Sequence, residues 1–430
     1  MTNPLYTPDQ EAAEKLALRL IERADVRAAR EQARHGMLAD PAAATVDGNM
    51  ALDRALDQWV LGLAMREANG DTADPRVVWN VSNPPRRWFG HVYHGAAVAV
   101  DNPDNFNREI PIDGEGHYRI DLRFSADPPQ FSVVIEMEPD HHAGLGHNIG
   151  ALTLQDLRPH CDSEGRVSVT VGPKGGGPLH LQSRPGRIQI YTRDSQCDWN
   201  QLPAEVSVER LDPPADWQAR SEDEIAATII ADMPAWVRFW RGFKDDFLGF
   251  PEPNRLVGPN GRDGNWGYLA GGRFALGDDE ALLITLDPAD SYYTGFQITD
   301  PWTIAPDPML RLASLNKAQV TPNADGTVTY VLALADPGVA NWIDTCGLHE
   351  GWMLTRWQGV PADADLASMI REVRLTTLDA LPDDLPTVDL AGRRNQIATR
   401  AQAFARRTSE GGCRCSLKGR SSNCATWLKT

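Results

Sequence analysis

Two hydrophobic periods divide this chain. Near the N-terminus the apolar residues recur with helical spacing. Thr7 offers a cap, Pro8 takes the first helical position, and Gln10 follows at the third. Ala13, Leu16, Leu20 and Ile21 keep one face, and Gly36 is the predicted close of that segment. A second helix is predicted over Met50 to Ala68, with Leu52, Leu56, Trp59, Val60 and Leu63 on one side. From Pro75 to about Asp212 the period shortens to two. Short runs such as Tyr118–Phe124, Phe131–Met137, Arg166–Val171, Arg187–Thr192 and Val206–Leu211 alternate with turns, the spacing of an antiparallel sandwich or barrel. Helix returns at Ser221, where Ser221-Glu222-Asp223-Glu224 forms a capping box ahead of Ile225, Ile229, Ile230 and Trp236. Strands resume from Gly267 to about Gly359. Two helices, near Asp365 to Arg374 and Val388 to Arg407, are predicted to finish the ordered part.

The strand pattern echoes itself. The first strand region holds DSEGRVSVTVG and then GRIQIYTRD; the second holds NADGTVTYVLAL and then GWMLTRWQ. In both, an acidic-Gly turn launches a strand with alternating Val, and a later strand carries Thr-Arg. An apolar strand with an acidic end precedes each, FSVVIEMEPD and ALLITLDPAD. Repetition at this length predicts two related sandwiches in tandem. The expected fold is mainly β, with tandem jelly-roll-like β-sandwich modules, an N-terminal helical arm, a helical bridge and C-terminal helices. The expected boundaries are an arm over 1–74, a first module over 75–215, and a bridge over 216–265. A second module over 266–361 and C-terminal helices over 362–407 follow.

Composition narrows the picture. A chain of 430 residues with 42% hydrophobic and 23% charged content is ordinary for a globular protein. A net charge of -17, with no basic cluster interleaved with aromatics, argues against a nucleic-acid partner. The N-terminus has no basic n-region and no apolar h-region, and no apolar run suits a membrane span, so the expected location is cytoplasmic. The tail over 408–430 is rich in Ser and Gly and without hydrophobic period; it is expected to be disordered or non-native. Its Cys413, Cys415 and Cys424 form a poor zinc pattern, and no metal or other cofactor is assigned.

From Gly267 to Pro361 a series of motifs occurs in order: GDDEALLIT, Tyr292-Tyr293, Asp300-Pro301-Trp302, Ser314-Leu315-Asn316, Asn323-Ala324-Asp325-Gly326, Asp336-Pro337-Gly338, Asn341-Trp342-Ile343-Asp344-Thr345, Gly347, His349, Gly351 and Arg356-Trp357. Together they resemble the domain of unknown function 1214 family. Asp101-Asn102-Pro103-Asp104-Asn105-Phe106, Ile112-Asp113-Gly114, and Arg193 followed by Asp198-Trp199 are similar to the segment that precedes this domain in family members. Between Arg193 and Asp198 this chain lacks the aromatic that members carry. The resemblance implies a jelly-roll-like sandwich with a second β module, and no particular reaction.

The candidate chemistry gathers in the same region. His349 moves protons near neutral pH, and Asp344 is the expected orienter of its ring, which makes this pair the catalytic candidate. Arg356 suits a carboxylate or phosphate. Asn341, Trp342, Tyr292, Trp302 and Asn316 complete an expected substrate-binding wall that is partly apolar or sugar-stacking. The structural alternative is that Asn-Trp-x-Asp satisfies a tight corner and that Asp and Arg form a buried pair. Glu136, Glu138, Asp140, His141, His142 and His147 form a second polar segment, read as a solvated loop rather than a metal site. Arg86, Arg87, His91, Tyr93 and His94 form a third. Pro173 to Pro178 is a flexible turn and no phosphate loop. The sequence therefore predicts an enzyme using general acid-base chemistry, a hydrolase or lyase, on a small partly apolar or sugar-like molecule. The alternative is a non-catalytic carbohydrate- or small-molecule-binding protein. A homo-oligomer is left open.

Overall fold

The computed structural model describes residues 3–137, 147–243, 245, 252–262 and 267–408. The N-terminal pattern forms α1 (Pro8–Ile21), α2 (Ala24–Leu38) and α3 (Val46–Ala68). The Thr7 side chain accepts from Gln10 N at 3.1 Å, and the Thr45 side chain accepts from Gly48 N at 3.1 Å. Each cap satisfies a donor that the first helical turn leaves free. The first helix does not run on to Gly36. It ends before Glu22 and Arg23, and Gly36 lies inside α2, because a fold-back there lets both helices meet the rest of the helical layer.

The first module comprises β1 (Val78–Val81), a hairpin of β2 (Arg86–Trp88) and β3 (His91–Tyr93), then β4 (Asn105–Asp113), β5 (Tyr118–Arg123), β6 (Gln130–Met137) and β7 (His147–Thr153). It continues through the short helix α4 (Leu154–Leu157) to β8 (Arg166–Gly172), β9 (His180–Gln182), β10 (Arg187–Ser195) and β11 (Glu205–Arg210). Helix α5 (Glu222–Phe243) follows, capped as expected by Ser221 and Glu224. The second module comprises β12 (Val257–Gly261), β13 (Tyr268–Ala275), β14 (Glu280–Leu286), β15 (Tyr293–Thr299), β16 (Ser314–Asn316), β17 (Val328–Ala333), β18 (Trp342–Asp344), β19 (Glu350–Gln358) and β20 (Ile370–Thr377). Helix α6 (Leu390–Ala405) comes last.

Both modules are sandwiches with the same strand order. The first has a five-stranded sheet, β1-β4-β10-β6-β7, over a four-stranded sheet, β11-β5-β8-β9. The second repeats this as β12-β13-β19-β15-β16 over β20-β14-β17-β18. Even the one parallel pair in each, β8 with β9 and β17 with β18, recurs. Each module has its own apolar core between its sheets. The acidic-Gly echo is a real equivalence: Gly165 N donates to Asp162 O and Gly326 N to Asn323 O, both at 3.0 Å. Both glycines take positive φ, 73° and 85°, which a Cβ would oppose.

Two boundaries differ from expectation. Asp365 to Arg374 is not a helix but one short 3-10 turn and the start of β20, which pairs with β14 along its whole length. The otherwise open edge of β14 supplies backbone partners that local helical spacing cannot match. Likewise β12 falls inside the expected bridge. The expected tail lies outside the described residues from 409 onward, as do Glu138, Asp140, His141 and His142.

The helical layer packs its own core of α1, α2, α3 and α5 and extends it to Val78, Tyr93, Trp302 and Ile304 of the modules. A buried ion cluster seals the junction. Burial alone would raise Glu67, yet the guanidinium groups of Arg187, Arg66 and Arg220 hold its carboxyl down at about 2. Among the described residues, no helix is long and apolar enough to cross a membrane.

Candidate functional site

The expected catalytic pair does not form. Asp344 ends β18 in the four-stranded sheet, whereas His349 leads into β19 in the five-stranded sheet. Cys346 and Gly347, both with positive φ (62° and 81°), turn the chain between the two layers. Asp344 is buried, accepting from Cys346 N at 2.7 Å and from Arg311 Nη1 at 3.2 Å. His349 is open to solvent. Its Nε2 lies 3.0 Å from Oδ1 of Asp278, and its backbone N donates to Asp47 Oδ2 at 2.7 Å. It lines an open groove of about 570 Å³ with Asp47 and Glu350.

Most of the expected binding wall is buried. Asn341 staples a corner: its Oδ1 accepts from Thr321 N at 2.8 Å, and its Nδ2 donates to Thr321 O at 2.7 Å and Thr329 O at 3.1 Å. Trp342 donates to Ala333 O, and Arg393 stacks on its ring at 5.2 Å. Trp302 anchors the helical layer, donating to Gly48 O at 2.7 Å with its ring edge-on to Trp59. Arg356 spends its donors inside the fold. Its Nη1 donates to Gln297 Oε1 and its Nη2 to Val100 O, both at 2.6 Å, and burial pushes its pKa down. These residues are scaffold, as a corner-forming polar cluster can be.

Asn316 belongs to a polar centre between the modules that single-sequence reading did not assemble. Asp104, just before β4, accepts from Trp199 Nε1 at 2.6 Å and Asn316 Nδ2 at 2.7 Å through Oδ1. Through Oδ2 it accepts from the Tyr293 hydroxyl at 2.8 Å. Asn102 donates to that hydroxyl at 2.7 Å. Arg400 stacks over Trp199, and Arg407 over Phe106 and Phe404; burial lowers these two guanidiniums to about 10 and about 9. The quoted motifs at Asp101 to Phe106, Asp198-Trp199, Tyr293 and Ser314 to Asn316 therefore meet at one seam, where they join module to module.

Beside this seam lies a pocket of about 300 Å³ lined by both modules. From the first come Gln130, Thr153 and Gln155 at the β6–β7 edge. Gln130 is almost fully buried, and its Oε1 accepts from Phe131 N at 3.0 Å. From the second come Tyr268, Arg262, Val360 and three glycines, Gly261, Gly267 and Gly359. Gly267 and Gly359 have positive φ (145° and 63°) and leave backbone accessible where a side chain would fill the space. A Cβ on Gly359 would run into the ring of Tyr292, so that half-exposed ring lies against a residue of the pocket wall. The Tyr268 hydroxyl has no partner among the described residues. Of the expected wall, Tyr292 is the residue the structure leaves beside a pocket. Gln130, Thr153, Gln155 and Tyr268 were missed, since no shared motif joins them; the glycines at strand ends flank Tyr268 alone.

Fold and pocket together define the class: a tandem β-sandwich protein with a helical layer and a polar pocket between its modules. Among solved structures, the chain is similar to an uncharacterized protein from Burkholderia cenocepacia, at 22% identity and TM-score 0.70, over 85% of this chain and 100% of that one. It is also similar to the VPA0106 protein from Vibrio parahaemolyticus, at 11% identity and TM-score 0.39, over 65% and 90%. A third is the N-terminal CBM22-1-CBM22-2 tandem domain of Xyn10C from Paenibacillus barcinonensis, at 10% identity and TM-score 0.14, over 63% and 83%. The first likeness shows the fold; the other two are too distant to carry an argument. No family model matches the chain, and no curated protein matches it.

Proposed function

We propose that this is a binding protein for a small, neutral, sugar-like molecule held in the pocket between the modules. Buried Gln130 at a pocket that both modules line carries this reading, since a few placed polar groups in a concave site fix the orientation of a small ligand. The Tyr268 hydroxyl, the Gln155 amide and glycine backbone add directed hydrogen bonds. The half-exposed ring of Tyr292, next to Gly359 of the pocket wall, offers an apolar face of the kind sugar rings stack on. A second reading, hydrolase or lyase chemistry, rests on the solvent-reached His349 and Asp278 contact. In the same proposal the chain belongs to the domain of unknown function 1214 family, on the ordered motifs quoted above. It works in the cytoplasm, a reading supported by the free thiols of Cys161, Cys197 and Cys346.

The test is ligand-observed NMR on the full chain with glucose, galactose, xylose and cellobiose. At least one sugar should bind. Tyr268→Phe and Gln130→Leu should each weaken it roughly three- to tenfold, the loss of one neutral hydrogen bond of about 1 kcal/mol. Absence of binding by every sugar, or unchanged binding in both variants, would sink the reading.

A further inference from the structure

Another cavity lies where α1, α2 and α3 meet the segment after β3. It encloses about 580 Å³. Its floor is apolar, from Ile21, Val60 and Leu61. Its polar groups stand in an unusual state. Gln58 on α3 is buried; its Nε2 donates to Asn83 O at 3.0 Å, and its Oε1 has no partner. Arg54, one turn earlier, reaches the buried carboxylate of Asp300 with Nη2 at 2.9 Å, and its Nε and Nη1 bond nothing among the described residues. His94 is exposed, and its imidazole has no partner among the described residues.

The charge balance of the wall runs against that of the chain. Arg27, Arg30 and Arg54 line it against Glu22 and Asp57, a small positive excess in a protein whose net charge is -17. Arg30 is occupied by Asp53 and Asp57, and Arg27 by Glu22. Arg27 and Arg54 each keep Nε and Nη1 uncommitted among the described residues, and Arg54 stands one helical turn from Gln58, whose Oε1 is an uncommitted acceptor. The free Nη1 of Arg54 offers a carboxylate oxygen a charge-assisted donor. A buried amide oxygen lacks a donor.

We propose that this cavity is a binding site for a small organic carboxylate that carries a hydroxyl and an apolar body. The carboxylate accepts from the free Nη1 of Arg54, with His94 at the mouth. The hydroxyl donates to Gln58 Oε1, and the apolar body covers Ile21, Val60 and Leu61. The site is independent of the sugar-like ligand argued above: it shares no residue with that pocket.

Titration calorimetry of the full chain at low salt tests it, with mandelate as probe. Phenylacetate lacks the hydroxyl, and 1-phenyl-1,2-ethanediol lacks the carboxylate. Mandelate should bind, with the diol at least about tenfold weaker and phenylacetate roughly threefold to tenfold weaker, as expected for losing a charge-assisted and a neutral hydrogen bond. Ile21→Trp should fill the floor and abolish binding, and His94→Trp should narrow the mouth from the strand side with the fold intact by circular dichroism. No binding by mandelate, equal affinity for either analogue, or unchanged affinity in a folded filling variant overturns the proposal.

Discussion

Arg193 on β10 and Arg356 on β19 occupy the same position in two sheets of the same strand order, yet they live differently. Each follows a Thr and points to the outer face of its five-stranded sheet. In the first module that face is partly open. Arg193 keeps a side chain 18% exposed, reaches Glu136 at 2.8 Å and lies 5.3 Å from the centre of the Tyr191 ring. In the second module the residues around Val100 to Asp104 lie across the face, and Arg356 is sealed against a carbonyl and an amide oxygen. A duplicated scaffold thus repeats its strands and turns, while what crosses the outer face decides whether a shared arginine is a surface ion pair or a buried clamp.

The largest test of that contrast replaces each arginine in turn. Arg356→Met strands the Val100 carbonyl and Gln297 Oε1, so it should cost roughly 3 kcal/mol at about 1–3 kcal/mol per buried group. Arg193→Met removes the part-exposed ion pair with Glu136 and should cost about 1 kcal/mol. Urea midpoints read both; equal costs would break the comparison.

An intermediate effect comes from Asp101 beneath Arg356. Burial pushes its carboxyl up to about 7 from 3.8, with Val98 N and Arg356 pulling the other way. Between those values the folded chain keeps a proton that the unfolded chain has released. Asp101 therefore makes stability fall as pH rises from about 4 to about 7, and its penalty is complete above that. Asp101→Asn should flatten this part of the profile. Melting temperatures at several pH values decide it; parallel profiles for the two proteins would remove Asp101 from the account.

The smallest effect belongs to the open groove. His349→Ala should change stability by no more than about 0.5 kcal/mol, because among the described residues its ring bonds only exposed Asp278. A loss several times larger would give His349 the buried stapling role that Asn341 and Asp344 fill, and would end the acid-base reading as well.

Much of the architecture was legible in the chain. The caps at Thr7 and Ser221 act through local atoms, so local sequence suffices to place them. The acidic-Gly turns at Gly165 and Gly326 need a left-handed residue, and the alternating Val residues after them need a buried face. Strands without alternation were harder. β4 is buried at nearly every position, so no polar beat marks it. β20 was mistaken for helix because its pairing with β14 lies outside any local window.

The candidate site was less legible. Tyr292 was named in advance; Gln130, Thr153 and Tyr268 were not, since they come from strands more than a hundred residues apart and share no motif. Asp344 and His349 stand five residues apart, and proximity in sequence suggested proximity in space. The sequence alone determined the periods, the caps, the turns and the tandem repeat, because each depends on a few neighbouring residues. Tertiary structure alone decided which polar groups were spent inside. The Asp104 centre gathers donors from Trp199, Tyr293 and Asn316, and a carboxylate becomes scaffold or site according to how many distant donors reach it.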